Sequence, residues 1–387
     1  MTFSKRTDWN TALNPLAQKA EELRAHPDFI NLTVTNPTDC GFSYLTPALL
    51  EPLLHPDGLK YTPDPHGLPK AREAVCRYYA AKGILLHPDQ IFITASTSEA
   101  YSFVFKILAE HGDSILGPAP GYPLMDYLAE INDVKLIRYP LIYQNGWQME
   151  PKILEECTAR VKATLVVHPS NPAGNYVSEK EQAILASWAQ RKKAALISDE
   201  VFYDFALETT PLPPSFAAQN DGLTFTLSGI SKILGLPQMK LSWVVVTGPE
   251  ELKNDALRRL EIVADTYLSA STPIQNALPL WLEKMPAIQQ EIRDRIRSNR
   301  AFLEKHFAGS AVEVLKTEGG WSSILRMPGI QTDEQWALDL LENQKVLLHP
   351  GYLFDLEEMP AALVLSLLVP EESFKTGLAR LLSAKTR

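Results

Sequence analysis

The chain of 387 residues is poor in cysteine, in basic charge and in long apolar runs, and each shortage excludes something. Cys40, Cys76 and Cys157 are its only cysteines, far apart and without a C-x-x-C pair. A disulfide framework or a cysteine zinc site would need closer or more numerous thiols, so a reduced, intracellular chain is expected. Lys and Arg number 37 against 46 Asp and Glu, a net charge of −9. That balance lacks the footprint of a nucleic-acid binder. No stretch approaches the ~18 apolar residues of a membrane span, and residues 1–10 are polar where a secretory signal would be apolar. The expectation is a cytoplasmic protein with neither a membrane nor a nucleic acid as partner. The eight histidines show no H-x-x-x-H spacing, and His55-Pro56-Asp57 and His87-Pro88-Asp89 read as turns, so no metal site is expected. Walker A and G-x-G-x-x-G loops, internal repeats and low-complexity tracts are also missing.

What is present is ample apolar material, 45% of residues, in a chain long enough for two or three domains. The 29 prolines outnumber the 19 glycines and are spread along the chain, marking turns and not a linker. Short apolar, β-branched runs at 91–95, 114–117, 134–139, 163–167, 194–198, 223–227 and 241–247 predict seven strands. Several are continuously apolar, as strands covered on both faces are, and helical patterns such as 97–110 and 179–191 separate many of them. The middle of the chain therefore reads as α/β with a mostly parallel sheet. From about residue 272 the pattern changes to a long helix, 274–307, with Pro286 as a kink. Strands at 320–326 and 361–368 and helices at 332–343 and 371–384 follow.

Ligands of open α/β sheets sit beyond the carboxyl ends of the strands. Those positions carry Ser96-Thr97-Ser98-Glu99, Pro118-Ala119-Pro120-Gly121-Tyr122, His168-Pro169-Ser170-Asn171-Pro172-Ala173-Gly174, Asp199-Glu200-Val201-Phe202 and Ser228-Gly229-Ile230-Ser231-Lys232. If the strands run parallel, all five converge on one cleft with hydroxyls, an aromatic ring, an amide, a carboxylate and an amine.

In order and spacing these segments, with Tyr61 and Gly67, resemble the fold-type I pyridoxal 5′-phosphate enzymes of the class I/II aminotransferase family over nearly the whole chain. The resemblance implies a large cofactor-binding domain at 47–275 with a mostly parallel seven-stranded sheet. It also implies a smaller α+β domain built from 1–46 and 276–387. Lys232 resembles the lysine that forms a Schiff base with the cofactor and then shuttles protons, a role that suits a desolvated amine. Asp199 closes an apolar strand, where an unpaired carboxylate is costly; the resemblance pairs it with the pyridine nitrogen, while a helix N-cap is the plainer reading. Asn171 resembles the donor to the cofactor's phenolic oxygen, or is an Asn-Pro turn. Tyr122 resembles the ring that stacks on the pyridine, or packs a turn. Ser96, Thr97 and Ser98 open a helix whose free amides suit a phosphate, and Ser96 with Glu99 also spells a capping box. Ser228, Ser231 and Lys240 would complete that cup, and Tyr61 resembles a residue reaching the phosphate of a neighbouring subunit, which implies a homodimer.

Three positions depart from the family pattern. Phe202 stands where a tyrosine is usual, with Tyr203 next; Lys240 stands for an arginine; and Val364-Leu365-Ser366 replaces Arg-Leu-Ser, removing the cation that grips the substrate carboxylate. Either another cation, with Arg326 the candidate, binds that carboxylate, or the natural substrate departs from an ordinary α-amino acid. The resemblance implies an aminotransferase that moves an amino group from an amino acid to a 2-oxo acid in two alternating half-reactions. A lyase of the C–S type, a racemase or a decarboxylase on the same scaffold is the alternative, and a cofactor-sensing regulator a remoter one.

Overall fold

The computed structural model describes residues 3–383 except 158, 209, 210, 269, 357 and 360. Eight strands form its principal sheet: Ile91–Thr94 (β1), Ser114–Ala119 (β2), Lys135–Tyr143 (β3), Trp147–Met149 (β4), Val161–Val167 (β5), Ala195–Asp199 (β6), Thr224–Gly229 (β7) and Ser242–Thr247 (β8). Their spatial order is β1-β8-β7-β6-β5-β2-β3-β4. The seven expected strands are all there. The eighth, β4, is a three-residue edge strand antiparallel to β3, too short for a periodic signal in the sequence. The central run β7-β6-β5-β2-β3 is parallel, whereas β8 is antiparallel to both of its neighbours.

Continuous apolar runs arise because successive side chains of a strand point to opposite faces and both faces are covered. Phe92 of β1, Phe225 of β7 and Val244 of β8 pack under the helices Thr97–Leu108 (α1) and Glu250–Tyr267. Their neighbours Ile91, Ile93, Trp243 and Val245 face the other way, toward a larger core. Each such buried large side chain contributes roughly 1.5–3 kcal/mol relative to exposure. The helix Glu179–Lys192 shows the expected start and stop signals: a reciprocal Ser178–Glu181 capping box at one end and Lys193 in the left-handed conformation at the other.

A second, antiparallel sheet comprises Glu313–Val314 (β9), Ser322–Arg326 (β10), His349–Pro350 (β11) and Ala362–Ser366 (β12), in the order β9-β10-β12-β11. The N-terminal segment joins this half, since Ile30–Asn31 pairs in parallel with Val346–Leu347 and the Ser366 N–H donates to the Leu32 carbonyl at 2.7 Å. One helix of 36 residues, Thr272–Phe307, runs through both Pro279 and Pro286 and links the two halves. Its Asn299 amide donates to the carbonyls of Leu367 and Val369, pinning the chain just after β12. The last helix is Glu371–Ser383; Ala384, to which its pattern extends, lies outside the described residues.

Candidate active site

Strand direction decides which termini share a cleft. β2, β5, β6 and β7 are parallel, and β1 shares their direction because two antiparallel pairings, through β8, separate it from β7. All five carboxyl ends therefore open on one side, with the amino end of β8 among them. A cavity of about 270 Å³ lies there, between the principal sheet and the second one. Thr97, Ser98, Tyr122, Asn171, Asp199, Ser231 and Lys232 line it. Its walls are largely apolar, with Leu124, Met125, Leu128, Phe202, Trp321 and Val364 among them.

Lys232 sits in the short helix Ile230–Ile233, directly after β7. Its Nζ lies 5.1 Å from the ring centre of Trp321 and 5.6 Å from that of Phe202. Burial pulls its pKa below the ordinary 10.5, against the opposing charge of Asp199. A neutral amine at physiological pH is thereby favoured more than on a surface lysine. Asp199, the last residue of β6, accepts from the Val201 N–H at 3.1 Å and the Tyr101 hydroxyl at 2.9 Å. Burial nonetheless raises its carboxyl above the ordinary range, more than those donors and Lys232 lower it. Asp199 caps no regular helix; its Oδ1 closes a local turn at Val201 instead.

That carboxylate makes no ion pair among the described residues, so a protonated ring nitrogen would supply the positive charge its buried site lacks. At the other end of the cavity, the first-turn amides of Thr97 and Ser98 have no intrahelical acceptor, because the start of α1 leaves them free. The hydroxyls of Ser231 and Ser242 share this wall. Gly229, the last residue of β7 before the short helix that carries Ser231, lets that strand approach Ser242 of β8: a Cβ there would lie 2.8 Å from Ser242 Cβ and 2.9 Å from its Cα. A buried acceptor, a buried amine and an anion cradle in one cavity fit pyridoxal phosphate.

The remaining side chains divide clearly. Asn171 accepts from the Ser322 hydroxyl of β10 at 3.2 Å, which leaves its amide hydrogens to donate. Tyr122 is half exposed at the rim. Phe202 faces the cavity, while Tyr203 points away and donates to the Pro213 carbonyl, so the phenol missing at 202 is not replaced by its neighbour. Ser96, Lys240 and Tyr61 are not among the lining residues. The Ser96 hydroxyl is spent as the N-cap acceptor of Glu99 N–H at 3.1 Å, and the Glu99 carboxylate reaches back to Ala95 N–H rather than to Ser96, a capping box displaced by one residue. Lys240 is exposed in a left-handed turn after Pro237–Met239. Tyr61 is 77% exposed in a separate depression with Asp265 and Leu268. Ser228 is buried behind the wall, on the Glu200 carbonyl. Arg326 is excluded as a cation of this cavity: it pairs with Glu313 at 2.6 Å and lies on the Tyr143 ring.

Several lining residues were not singled out from the sequence. Ser242 enters the cavity only because β8 is antiparallel, which the apolar run of that strand does not reveal. Tyr101 was accessible to helical spacing, four residues after Thr97 and on the same face of α1. Arg138 and His349 come from β3 and β11, and nothing local marks either one.

A family model for aminotransferase class I and II matches residues 27–381. The glutamate-pyruvate aminotransferase AlaA of Haemophilus influenzae is 27% identical over 338 residues, 84% of this chain and 83% of that protein. An alanine aminotransferase of Mycobacterium tuberculosis is 27% identical over 360 residues, covering 88% of this chain and 82% of its own length. Among solved structures, the alanine aminotransferase of Pyrococcus furiosus superposes over 100% of both chains with a TM-score of 0.90 at 24% identity.

Proposed function

From the premise that the chain belongs to the aminotransferase class I and II family, and is a pyridoxal-phosphate-dependent aminotransferase, we propose that alanine and pyruvate form one of its two amino/oxo acid couples. What supports this choice is the alanine or glutamate-pyruvate aminotransferase activity of relatives aligned over most of their length, together with the apolar wall of Leu124, Met125, Leu128 and Val364. A methyl side chain suits such a wall.

Bound in the cavity, pyridoxal phosphate supplies an electron-withdrawing ring that stabilises the electron pair left when the amino acid loses its α-proton. The geometry supports a role for each of the chain's own residues. Lys232, with its depressed pKa, is the tether and then the base that takes the α-proton and returns it. Asp199 holds the proton on the ring nitrogen. Asn171 donates from its amide to the phenolic oxygen, and Tyr122 covers the ring from the rim. The amides of Thr97 and Ser98, with the Ser231 hydroxyl, hold the phosphate, and Ser96 contributes as the cap that sets the start of that helix. Phe202 and Trp321 flank Lys232 and keep water from it. The observation that carries the reading is a desolvated amine beside a buried carboxylate that lacks a cation.

The domain division at 47–275 against 1–46 with 276–387 belongs to the same proposal, supported by the pairing of Ile30–Asn31 with Val346–Leu347. So does a homodimer, for which the exposed Leu54, Leu59, Tyr61 and Leu268 provide apolar surface, with Tyr61 directed to the partner's cavity. Cytoplasmic residence fits Cys40, Cys76 and Cys157, all free thiols. A donor and acceptor panel with the purified holoenzyme tests the substrate assignment. Alanine with 2-oxoglutarate is expected to yield pyruvate and glutamate, and alanine alone to change the cofactor absorbance in one lasting step. Turnover of aspartate or aromatic amino acids with none of alanine overturns it.

A further inference from the structure

An amino acid and a 2-oxo acid always bring a carboxylate beside the reacting carbon, and burying it requires a cation or a full set of donors. The basic residues lining the cavity are Lys232, His349 and Arg138. Lys232 is committed to the chemistry. His349 is partly buried, and desolvation pushes its pKa below the ordinary 6.5, so it is neutral at physiological pH. Position 364, in the wall formed by β12, is a buried valine. Arg138 remains.

Arg138 lies on β3, next to Gly117 of β2 in the sheet register, and its side chain reaches the loop after β2. Nη1 donates to the Pro118 carbonyl at 3.2 Å. A single nitrogen, Nη2, serves two carboxylates, Asp126 of the helix Leu124–Ile131 at 2.6 Å and Asp355 at 2.8 Å. Gly121 leaves room for this guanidinium, since a Cβ there would come within 3.0 Å of Nη1. Two anions on one cation leave a surplus negative charge, and crowding both onto Nη2 leaves Nε and half of Nη1 without a carboxylate. Asp355 follows the turn Gly351–Phe354, on the side of the second sheet, and the Gly121 N–H donates to the Phe354 carbonyl at 3.0 Å beside it. The guanidinium is thus held at the seam of the two halves by a partner that a substrate anion can displace.

We propose that Arg138 is the cation that receives the substrate α-carboxylate, with Asp355 occupying it in competition until substrate binds. This rests on the aminotransferase reading of the same cavity. Exchange of one carboxylate for another conserves the ion pair, so binding costs less than desolvating a free guanidinium. It also couples substrate entry to the contact between the two sheets.

The test is inhibition of the holoenzyme by propanoate, which is alanine without its amino group and reports on carboxylate binding alone. Arg138→Gln is expected to raise its inhibition constant about tenfold or more, and the KM for alanine and for pyruvate in parallel, as loss of a charge-assisted bond does. Arg138→Lys should fall between. Asp355→Asn, by removing the competitor, should lower the inhibition constant about threefold, an effect that a purely structural Arg138 would not produce. An unchanged constant in Arg138→Gln, a rise in Asp355→Asn, or a KM change confined to glutamate and 2-oxoglutarate overturns the assignment. If Arg138→Gln does not fold, Asp355→Asn decides by itself. Should the wild type reject alanine yet bind propanoate through Arg138, the substrate choice fails while this inference stands.

Discussion

The phenol of Tyr101 donates to Asp199 Oδ2 at 2.9 Å from the helix whose first turn offers the Thr97 and Ser98 amides. One rigid element therefore sets the distance between the anion cradle and the buried carboxylate, the two ends at which a phosphorylated pyridine would be held. The spacing follows from helical geometry, because residues four apart share a face.

Tyr101→Phe removes a donor to the charged form of Asp199, so the carboxyl, already raised by burial, should rise further. The fraction ionised at neutral pH falls. Turnover is expected to drop roughly tenfold at pH 7 and to recover as pH increases, moving the acid limb of the pH–rate profile upward. A uniform loss with no displaced limb would assign Tyr101 to packing alone.

Replacing Lys232 by alanine removes both the tether and the proton carrier. The expected loss of turnover is roughly 10²–10⁴-fold or greater, with secondary structure unchanged. Borohydride treatment followed by peptide mass spectrometry should find the cofactor on residue 232 in the wild type and nowhere in the variant.

At Gly229 the backbone is extended, so the objection to a side chain is purely steric. Gly229→Ala must force β7 away from β8 at Ser242, with an expected destabilisation of roughly 1–3 kcal/mol. Calorimetry should show a lowered Tm, and the same protein should lose its cofactor faster on dialysis, since Ser242 opens β8 and Ser231 lies in the short helix directly after β7. A Tm within one degree of the wild type would contradict the packing described.

Glu200 is the buried counterpart of Asp199 on the opposite side of the chain. It accepts from the Ser198 hydroxyl at 3.2 Å, the Phe216 N–H at 2.7 Å and the Ser215 hydroxyl at 2.5 Å. Desolvation still outweighs these three donors and raises its pKa from 4.5 to about 7. The folded state thus holds this proton more tightly than the unfolded one. The associated stability is complete below about pH 4.5, declines as pH rises and is lost above about pH 7, with a maximum slope of about 1.4 kcal/mol per pH unit. Glu200→Gln should flatten the dependence of Tm on pH over that window; an unaltered slope would remove Glu200 as its source.

Much of the fold was legible because its signals are local. Ile91 through Ala95 or Leu241 through Thr247 are strands whatever surrounds them, and Ser96 and Ser178 announce helix starts by their own hydrogen bonds. The motif residues Thr97, Asn171, Asp199 and Lys232 were also readable, each lying just past a recognisable strand. The edge strand at Trp147 and the cavity-facing Ser242 were not, since one is too short for periodicity and the other depends on strand direction, which composition does not encode.

By itself, then, the sequence determined the elements, their order and the set of groups offered at the strand ends, all consequences of side-chain periodicity and turn chemistry within a few residues. Only the tertiary structure decided which cation shares the cavity with Lys232. Arg138 of β3, Asp126 of the helix Leu124–Ile131 and Asp355 after the turn Gly351–Phe354 meet in space, and Arg326, the nearer guess from the chain, is drawn to Glu313 instead. Contacts of that kind depend on how separate layers pack, because a charge takes the partner that three-dimensional proximity gives it and not the one its neighbours in sequence suggest.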